Sequence, residues 1–456
     1  MMCGIVGVYN HHSAAELASK AMFAEQHRGQ ESCGIAVSDS KIIRVRKKLG
    51  LVKEVFPPAQ IDRLPGNLAI GHVRYPTRGV ASEFNSQPHV VELLAGPCFS
   101  LVSNGDIVNY EKVRLQLESH GVYFSSHNDG ELILKYIVYQ IEKEKMPIIE
   151  AIRFCMKNVR GAYSTALITR DELYIFRDPY GFKPLSYGIT DGNTVVVASE
   201  TCALDIVQAR YVSYVKPGEI IIINKEGIKR IENDLKEYRL NSDYPQHCIF
   251  EHIYFSRPDS YQFSEDVYRV RERIGEKIAL NDHDITPDLV VPVPDSSNFI
   301  ALGYANARKM PITLGLIRNH YIGRTFIKPD QTVRDESVRQ KFNYLPHTFE
   351  GKSIVLIDDS IVRGTTIKKI IDLVREAGAK EIHLRIGSPP VKYACYYGID
   401  IQESEELIAN RMSIEKIIRD FGISSLKYIS LQDLFSAVSK PKHYCDACFS
   451  GKYVVV

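Results

Sequence analysis

The 456-residue sequence has no long hydrophobic run, almost no net charge and no repeated or low-complexity segment. A transmembrane helix needs about 18 or more apolar residues in succession, so none is predicted. The start lacks the basic region and apolar core of a secretory signal, and no export is predicted. A formal net charge of +2 excludes the strongly basic composition that is typical of nucleic-acid or membrane-surface binding.

The composition that is present is that of a globular protein. Apolar residues make up 45% and charged residues 25% of the chain, which are ordinary proportions. The length suits about two or three domains of ordinary size. The sequence contains nine cysteines. Without an export signal they indicate a reducing compartment, and we expect a cytoplasmic protein whose thiols serve catalysis or metal binding.

The first half of the chain, from Gly4 to about Ile231, has the pattern of strands with two helices. Short runs rich in β-branched residues and bounded by Gly, Pro, Asn and Asp are typical of a sheet. Helices are expected around "SAAELASKAMFAEQ" and "DGELILKYIVYQIEKE". Helices laid on strands in this way predict an α+β layered domain. The strand-like runs are "GIVGVYN", "CGIAVSD", "NLAIGHVRYPT", "CFSLVSNGDIVNY", "YSTALITRDELYIFRD" and "TVVVASE".

The second half has the pattern of an α/β domain with a parallel sheet. "PDLVVPVPDSS" is an apolar strand that ends in a polar turn, and "KSIVLIDDSIVRGTTIKKIIDLVREAGAKEIHLRIGSPP" indicates strand, loop, helix and strand. In this helix one apolar stripe is formed by Ile367, Ile370, Ile371 and Val374. A buried strand followed by such a helix is typical of parallel sheets covered on both faces. We place the joint between the halves near "LNSDYPQHCIFEHIYFSRPDS".

The strongest chemical signal is "VLIDDSIVRGTT", at the end of a predicted parallel strand. Open α/β sheets bind ligands at the carboxyl ends of their strands, where Asp358 and Asp359 stand. Gly364 allows close approach of the backbone, and Thr365 and Thr366 add hydroxyl donors at a helix amino terminus, which together suit a phosphate. The two carboxylates suit ribose hydroxyls or Mg²⁺. The alternative is a surface acidic turn with capping threonines, which leaves the two acids after four apolar residues unexplained.

This segment resembles the phosphoribosyl-pyrophosphate (PRPP) motif of the type I phosphoribosyltransferases. The resemblance implies that Asp358 and Asp359 hold the ribose hydroxyls and that the Arg-Gly-Thr-Thr loop holds the 5-phosphate. It also implies a pyrophosphate loop in "VPVPDSS" and a flap in "RNHYIGRTFIKPDQTVRDESVRQKFN" that closes over the leaving group. The residues implied for PRPP are Asp358, Asp359, Ser360, Arg363, Gly364, Thr365, Thr366 and the flap residue Arg324. Those implied for Mg²⁺ are Ser296, Asp358 and Asp359, with Ser297 as the alternative to Ser296. The other basic flap residues are Arg334, Arg339 and Lys341.

A second signal is Cys3, followed by glycine and an apolar run. "CGIVG", "QHRGQES", "GHVRYPT", "SNGDIVNY" and "HNDGE" occur in the order found in the amino-terminal-nucleophile glutamine amidotransferases, and the chain resembles that family. The resemblance implies that Cys3 attacks the glutamine amide, with its own α-amine as the base. It implies an oxyanion hole formed by the Asn104 side chain and the Gly105 N–H. Arg74 is implied for the α-carboxylate of glutamine, and Asp129 for its α-amine.

Single members of this set have simpler interpretations. An Asn-Gly pair alone is typical of a hairpin turn, and Arg74 alone could form a surface ion pair. Five motifs in the family's order favour the catalytic interpretation. His27 and His72 are interpreted as structural, since nothing in the sequence assigns them a proton.

A third signal is "HYCDACFSGKYVVV" near the other end of the sequence. A C-x-x-C pair alone is compatible with redox chemistry, zinc or coincidence. Some glutamine PRPP amidotransferases carry a 4Fe–4S cluster with cysteines in these contexts, and the resemblance implies one structural cluster per chain. Zinc bound by four cysteines is the alternative. The implied ligands are Cys248, Cys395, Cys445 and Cys448, whereas small buried residues are expected at Cys33, Cys98, Cys155 and Cys202.

Nearly the full chain therefore resembles the glutamine PRPP amidotransferase family. The resemblance implies an amino-terminal-nucleophile glutamine amidotransferase domain at residues 3–235 and a type I phosphoribosyltransferase domain with a cluster-binding tail at 236–456. It implies that glutamine supplies ammonia, through the protein interior, to C1 of PRPP in the first committed step of purine synthesis. A tetramer inhibited by purine nucleotides is typical of the family, and no nucleic-acid or membrane partner is expected. The alternatives are another glutamine amidotransferase and a non-catalytic, PRPP-responsive regulator.

Met1 and Met2 precede Cys3, whereas the implied mechanism needs a free cysteine amine. Removal of one initiator Met would leave Met2 attached, so we expect translation from Met2 or cleavage of a very short propeptide. Active protein from its host should begin at Cys3, as measured by intact mass or amino-terminal sequencing. Active enzyme that retains Met2 would contradict the assignment of Cys3.

Overall fold

The computed structural model describes residues 3–75, 82–93, 96–239, 241–320, 341–345, 347–401 and 403–456. The predicted flap residues Arg324, Arg334 and Arg339 lie outside these ranges, whereas Lys341 lies within them. No helix in the described ranges is both long enough and apolar enough to cross a membrane.

The strands of the first half form two antiparallel sheets. Their bounds are β1 (Gly4–Tyr9), β2 (Ser32–Ser38), β3 (Ile43–Leu49), β4 (Leu68–Arg74), β5 (His89–Leu93), β6 (Gly96–Ile107), β7 (Gly161–Ile168), β8 (Leu173–Arg177), β9 (Ser186–Ile189), β10 (Val195–Ala198), β11 (Arg210–Tyr214), β12 (Ile220–Asn224) and β13 (Gly227–Ile231). The helices are α1 (Ala14–Ala24), α2 (Val52–Val55), α3 (Pro58–Ile61), α4 (Tyr110–Ser119), α5 (Asp129–Glu142), α6 (Ile148–Asn158) and α7 (Thr201–Ile206). One sheet has the order β11-β9-β10-β1-β4-β2-β3, and the other has the order β13-β12-β8-β7-β6-β5.

The alternation of side chains along β1 shows how the layers are built. Ile5 packs between the two sheets with Val102 and Ala166 of the facing sheet. Val6 points to the opposite side and belongs to the apolar cluster formed with α1. Helices α4, α5 and α6 cover the outer face of the six-stranded sheet. The layers therefore run helix, sheet, sheet, helix, which confirms the predicted α+β layered domain.

The first half contains more helix than the sequence predicts. The two predicted helices correspond to α1 and α5, but α4 and α6 are not among the predicted elements. Helix α4 buries only Tyr110, Val113 and Leu117 and is otherwise polar, so its apolar signal is weak. It also begins three residues after β6 ends at Ile107, inside a stretch predicted as strand.

The second half is built on a parallel sheet. Its strands are β14 (His247–Cys248), β15 (Tyr261–Gln262), β16 (Glu265–Asp266), β17 (Leu289–Pro292), β18 (Leu316–Arg318), β19 (Phe342–Tyr344), β20 (Ser353–Asp358), β21 (Glu381–Ile386), β22 (Ser425–Tyr428) and β23 (Tyr444–Cys445). Its α-helices are α8 (Val267–Leu280), α9 (Asn298–Arg308), α10 (Thr365–Glu376), α11 (Ile408–Arg411), α12 (Ile414–Phe421), α13 (Leu431–Ser436) and α14 (Ala447–Ser450). A π-helical turn spans Glu251–Phe255, and short 3₁₀ turns span Leu235–Glu237, Ser404–Glu406 and Pro441–His443.

The central sheet of the second half has the order β17-β20-β21-β22, with every neighbouring pair parallel. Helices α8 and α9 pack on one face through Ile274 and Ile300. Helix α10 packs on the other face through Ile367, Ile370 and Ile371. Both faces of the sheet are thus buried, which confirms the predicted α/β domain and the apolar stripe of its helix.

The carboxyl-terminal tail returns to the first half of the chain. Strands β14 and β23 pair in parallel, and the Cys248 N–H donates to the carbonyl oxygen of Phe182 at 3.0 Å. The Phe182 ring stacks on Tyr397 with 4.2 Å between centroids. The Tyr397 hydroxyl in turn donates to the carbonyl oxygen of Val455 at 2.9 Å. These contacts fasten the tail across the joint between the halves.

Candidate functional site

Cys3 immediately precedes β1 and is 7% exposed. Its thiol donates to the carbonyl oxygen of Tyr75 at 3.5 Å, and its own carbonyl oxygen accepts from Nε of Arg28 at 3.0 Å. Burial raises the pKa of the Cys3 thiol, whereas the hydrogen bond with the Tyr75 backbone and the nearby Arg74 guanidinium lower it. A buried thiol needs a base beside it before it can act as a nucleophile at neutral pH.

Asn104 and Gly105 lie on β6, in the sheet that faces the one carrying Cys3. The Asn104 side chain is 1% exposed, and its Nδ2 has no hydrogen-bond partner among the described residues. A Cβ atom at Gly105 would lie 1.8 Å from the carbonyl oxygen of Ala162, so only glycine fits there. A buried amide donor without a partner is the kind of group that an oxyanion would satisfy.

Arg74 and Asp129 occupy the ends of two elements beside this strand. Arg74 is the last residue of β4, is buried and forms an ion pair with Glu31. Asp129 is the buried first residue of α5, a helix that packs on β6. The Asn128 side chain caps this helix by accepting from the Gly130 N–H at 2.8 Å. The residues predicted to bind glutamine therefore lie on elements adjacent to the predicted oxyanion hole.

The second predicted site lies at the carboxyl ends of β17 and β20. Ser296 donates to the carboxylate of Asp359, and Ser297 donates to that of Asp358 at 3.3 Å. Ser360 donates to the same Asp359 carboxylate at 2.6 Å. The predicted pyrophosphate loop and the acidic pair therefore meet, and both serines of the loop contact an acid.

The two acids of this site are buried side by side. Burial and the neighbouring Asp359 raise the pKa of Asp358 well above its ordinary value. Burial also raises the pKa of Asp359, while hydrogen bonds from Ser296 and Ser360 and the charge of Arg271 lower it. Adjacent buried carboxylates are stabilised by hydroxyl donors or by a divalent cation. The site therefore suits the predicted sugar hydroxyls and Mg²⁺.

The loop after the acids leads into the amino terminus of α10. Gly364 precedes the helix with φ 82°, and a Cβ atom there would lie 2.5 Å from Cδ1 of Ile408. Thr365 and Thr366 form the first helical residues, where backbone N–H groups lack helical partners. The Arg363 side chain points elsewhere, into an exposed ion pair with Glu406 at 2.5 Å. The backbone of this loop is thus suited to bind a phosphate, whereas the Arg363 side chain forms its ion pair outside the loop.

The four predicted cluster ligands converge from three stretches of the chain. Cys248 and Cys445 are register partners in the short pairing of β14 with β23. The Cys448 carbonyl oxygen accepts from the N–H groups of Lys392 and Tyr393 at 3.0 and 3.1 Å. These two residues lie shortly before Cys395 in the chain. All nine cysteines are free thiols. Across the described ranges, no group of three or more His, Cys, Asp or Glu side chains has the arrangement that would hold a metal ion.

A lysine that the sequence analysis does not single out lies beside these cysteines. Lys183 is fully buried, and its Nζ lies 3.3 Å from the position that a Cβ atom at Gly398 would take. Burial raises the pKa of the Cys248 thiol to about 12, while the Lys183 ammonium lowers it. The same Gly398 position lies 3.3 Å from the carbonyl carbon of Gly105. The lysine therefore stands between the cysteines and the predicted oxyanion strand.

A second residue missed by the sequence analysis is Gln87. Its side-chain amide donates to the carbonyl oxygen of Ser103 at 3.0 Å and accepts from the Ser103 N–H at 2.6 Å. Its Oε1 also lies 2.8 Å from the position that a Cβ atom at Gly130 would take. Gln87 thus links the strand of Asn104 to the helix of Asp129. A single glutamine in a loop gives no sequence pattern by which this role could be found.

Comparison with known proteins finds a matching family model in each half of the chain. A glutamine amidotransferase domain model matches residues 73–205, and a phosphoribosyl transferase domain model matches residues 263–386. Amidophosphoribosyltransferase 1, chloroplastic, of Arabidopsis thaliana is 45% identical over 99% of this chain and 78% of its own length. The amidophosphoribosyltransferase of Methanothermobacter thermautotrophicus is 43% identical over 99% of this chain and 94% of its own.

The chain belongs to the amidophosphoribosyltransferase family. The solved structure of the glutamine PRPP amidotransferase from B. subtilis, complexed with ADP and GMP, agrees. It is 38% identical, covers 100% of this chain and 98% of its own, and superposes with a TM-score of 0.89.

As a member of the amidophosphoribosyltransferase family, the chain is an enzyme that uses glutamine to aminate PRPP in purine biosynthesis. Glutamine is hydrolysed to glutamate, and the ammonia is transferred to C1 of PRPP with release of pyrophosphate, which gives 5-phosphoribosylamine. The family and the function predicted from the sequence are confirmed. A different glutamine amidotransferase and a non-catalytic regulator are thereby excluded.

Proposed function

We propose that glutamine hydrolysis is carried out by Cys3 within the first half. Its thiolate attacks the amide carbon, and its α-amine, once free, takes the thiol proton. Asn104 Nδ2 and the Gly105 N–H receive the oxyanion. The intermediate collapses to the thioester as the C–N bond breaks, and the α-ammonium returns the proton to the departing ammonia. Water then hydrolyses the thioester, which releases glutamate and restores the Cys3 thiol. Arg74 binds the α-carboxylate of glutamine and Asp129 binds the α-amine. The observation that carries this proposal is the buried Asn104 amide, a donor without a partner among the described residues.

The second stage is assigned to the carboxyl edge of the parallel sheet. Asp358 and Asp359 accept from the ribose hydroxyls, and the first turn of α10 binds the 5-phosphate through Gly364, Thr365 and Thr366. Ammonia displaces pyrophosphate at C1 and then loses a proton. Ser296, Asp358 and Asp359 would hold Mg²⁺, which when bound would supply positive charge opposite the pyrophosphate. The support is the contact between the two serines and the buried acidic pair.

For the cysteines we propose one 4Fe–4S cluster, held by Cys248, Cys395, Cys445 and Cys448. The donor set fits, since four unoxidised thiols from distant stretches share one mostly buried region. Zinc bound by the same four cysteines is the alternative. The cluster would be structural, cross-linking the tail to the joint, and the Lys183 ammonium would offset part of its negative charge.

Regulation, assembly and location are proposed on the family alone. Purine nucleotides are the expected inhibitors, supported by the ADP and GMP in the B. subtilis structure. A homotetramer and a cytoplasmic location are the corresponding expectations. The Arabidopsis relative is named chloroplastic, whereas the names of the archaeal relatives state no compartment.

Cys3→Ser should lose glutamine-dependent product formation by on the order of 10³-fold or more, because a serine hydroxyl is a far weaker nucleophile at neutral pH. The rate with ammonium salts should remain, since the second stage needs only the amine. Initial rates with the two nitrogen sources measure this, with Cys98→Ser as the matched control. Equal loss with both sources would contradict the assignment.

The double variant Asp358→Asn, Asp359→Asn should lose PRPP binding and product formation from either nitrogen source. The amides keep the side-chain shape but remove the two charges that suit ribose hydroxyls and Mg²⁺. Glutamine hydrolysis without PRPP should survive, because its residues lie in the other half. Calorimetry with PRPP is the deciding measurement, and an unchanged affinity would show that the ligand lies elsewhere.

Anaerobically purified protein should be brown and contain about four irons and four sulfides per chain. Cys395→Ser should accumulate as insoluble or proteolysed protein, because much of the binding free energy of a metal centre appears as folding stability. Iron, sulfide and zinc analysis, with Cys98→Ser as the control, measures this. Colourless, air-stable protein with about one zinc per chain would overturn the cluster in favour of zinc.

A further inference from the structure

A buried group of charges joins the two halves of the chain. The Arg28 guanidinium contacts Glu200 at 2.5 Å and Glu251 at 2.7 and 3.1 Å. Glu200 precedes α7 in the first half, whereas Glu251 begins the π-helical turn of the second half. All three side chains are buried. One guanidinium therefore pairs with a carboxylate from each half.

The other groups around Arg28 leave this pairing intact. Nε2 of His27 lies 2.7 Å from Oε1 of Glu200, the same carboxylate oxygen that accepts from Arg28. Glu25 lies close by and is buried, and burial raises its pKa well above the ordinary value. The guanidinium donates to Glu200 and Glu251, whereas the Glu25 carboxylate accepts from the Glu200 N–H at 2.7 Å.

The same guanidinium also holds the backbone of Cys3. Its Nε donates to the Cys3 carbonyl oxygen at 3.0 Å. The ladder between β1 and β4 starts at Gly4, so Cys3 stands just outside the strand pairing. Its thiol contact with the Tyr75 carbonyl is longer, at 3.5 Å. Arg28 therefore supplies a side-chain hydrogen bond to a backbone group that the strand pairing does not hold.

Glu251 is itself held firmly by the second half. The Ser256 hydroxyl donates to the Glu251 carboxylate at 2.6 Å. Arg271, which is buried, donates to the carbonyl oxygens of His252 and Ser256 at 2.7 and 2.8 Å. Arg271 also interacts electrostatically with Asp359, one of the two acids assigned to PRPP binding. The turn that carries Glu251 is thus fixed to the core of the second half.

We propose that Glu251 is a positioning residue for glutamine hydrolysis: by orienting Arg28 it fixes the Cys3 backbone, so that the second half completes the first active site. The inference rests on the proposed role of Cys3. Without the Glu251 charge, the guanidinium is drawn towards Glu200 and the Cys3 carbonyl loses its donor. Glutamine affinity should change little, because Arg74 and Asp129 are assigned to binding. The loss should therefore appear in kcat.

The test is Glu251→Gln, which keeps the side-chain shape and removes the charge. We expect kcat for glutamine hydrolysis to fall on the order of 10- to 100-fold, with little change in KM. The rate of Cys3 alkylation by iodoacetamide should fall with it, and the ammonia-dependent rate should stay. Glu251→Asp should restore part of kcat. The matched control is Glu219→Gln, which also removes a buried carboxylate. Glu219 pairs with Arg230 at 2.6 Å and does not contact Cys3.

A folded Glu251→Gln protein with a normal kcat for glutamine hydrolysis would overturn the inference. An equal loss of the glutamine-dependent and ammonia-dependent rates would overturn it as well. If that variant does not fold, Arg28→Lys decides, since it keeps the positive charge but replaces the planar fork of three nitrogens with a single ammonium, which cannot reproduce the three contacts in their positions. It should show the same selective loss of kcat, and a normal kcat would again overturn the inference. Glutamine hydrolysis by the Cys3→Ser variant would instead refute the proposed role of Cys3. Failure of that proposal is therefore distinguishable from failure of the inference about Glu251.

Discussion

The buried contact of Arg28 with carboxylates from both halves is the constraint on which the arrangement of the enzyme depends. Glu200 and Glu251 are fully buried, so neither charge has access to water. Removing one partner from this group would leave a buried charge unpaired, which is strongly destabilising. Because Arg28 also donates to the Cys3 carbonyl oxygen, this constraint extends to the proposed nucleophile. The joint between the halves therefore contacts the proposed glutamine site.

The two sites follow from different sheet geometries. In the second half the strands are parallel, so their carboxyl ends share one edge and the loops after β17 and β20 meet there. Ser296 and Asp359, which come from different loops, consequently touch. In the first half the sheets are antiparallel and stacked. Cys3 precedes a strand of one sheet and Asn104 lies in the other, so the proposed glutamine site needs the packing of two layers rather than one shared edge.

The tail adds a third constraint. Cys248 and Cys445 become neighbours through a two-residue strand pairing. A parallel pairing this short has little stability of its own, so further bonds within the cysteine group would strengthen it. The buried charge of Lys183 lies on the same side of the joint, against the strand of Gly105. Lys183 thus has the cysteine group on one side and the strand that carries Gly105 on the other.

The sequence by itself determined the elements whose signal is local. The strand-like run of β1, the apolar stripe of α10 and the glycine at 364 each depend on neighbours a few residues away, where composition, periodicity and steric fit leave a pattern. Motifs with fixed spacing likewise pointed to Cys3 and to the acids at 358 and 359. The helix α4 was hidden because only three of its residues are buried. Only the tertiary structure decided the pairings of Arg28 with Glu251, Gln87 with Ser103 and Lys183 with the cysteine group. Hydrogen bonds and ion pairs between residues far apart in the chain impose no periodicity on the sequence, so nothing in its order records them.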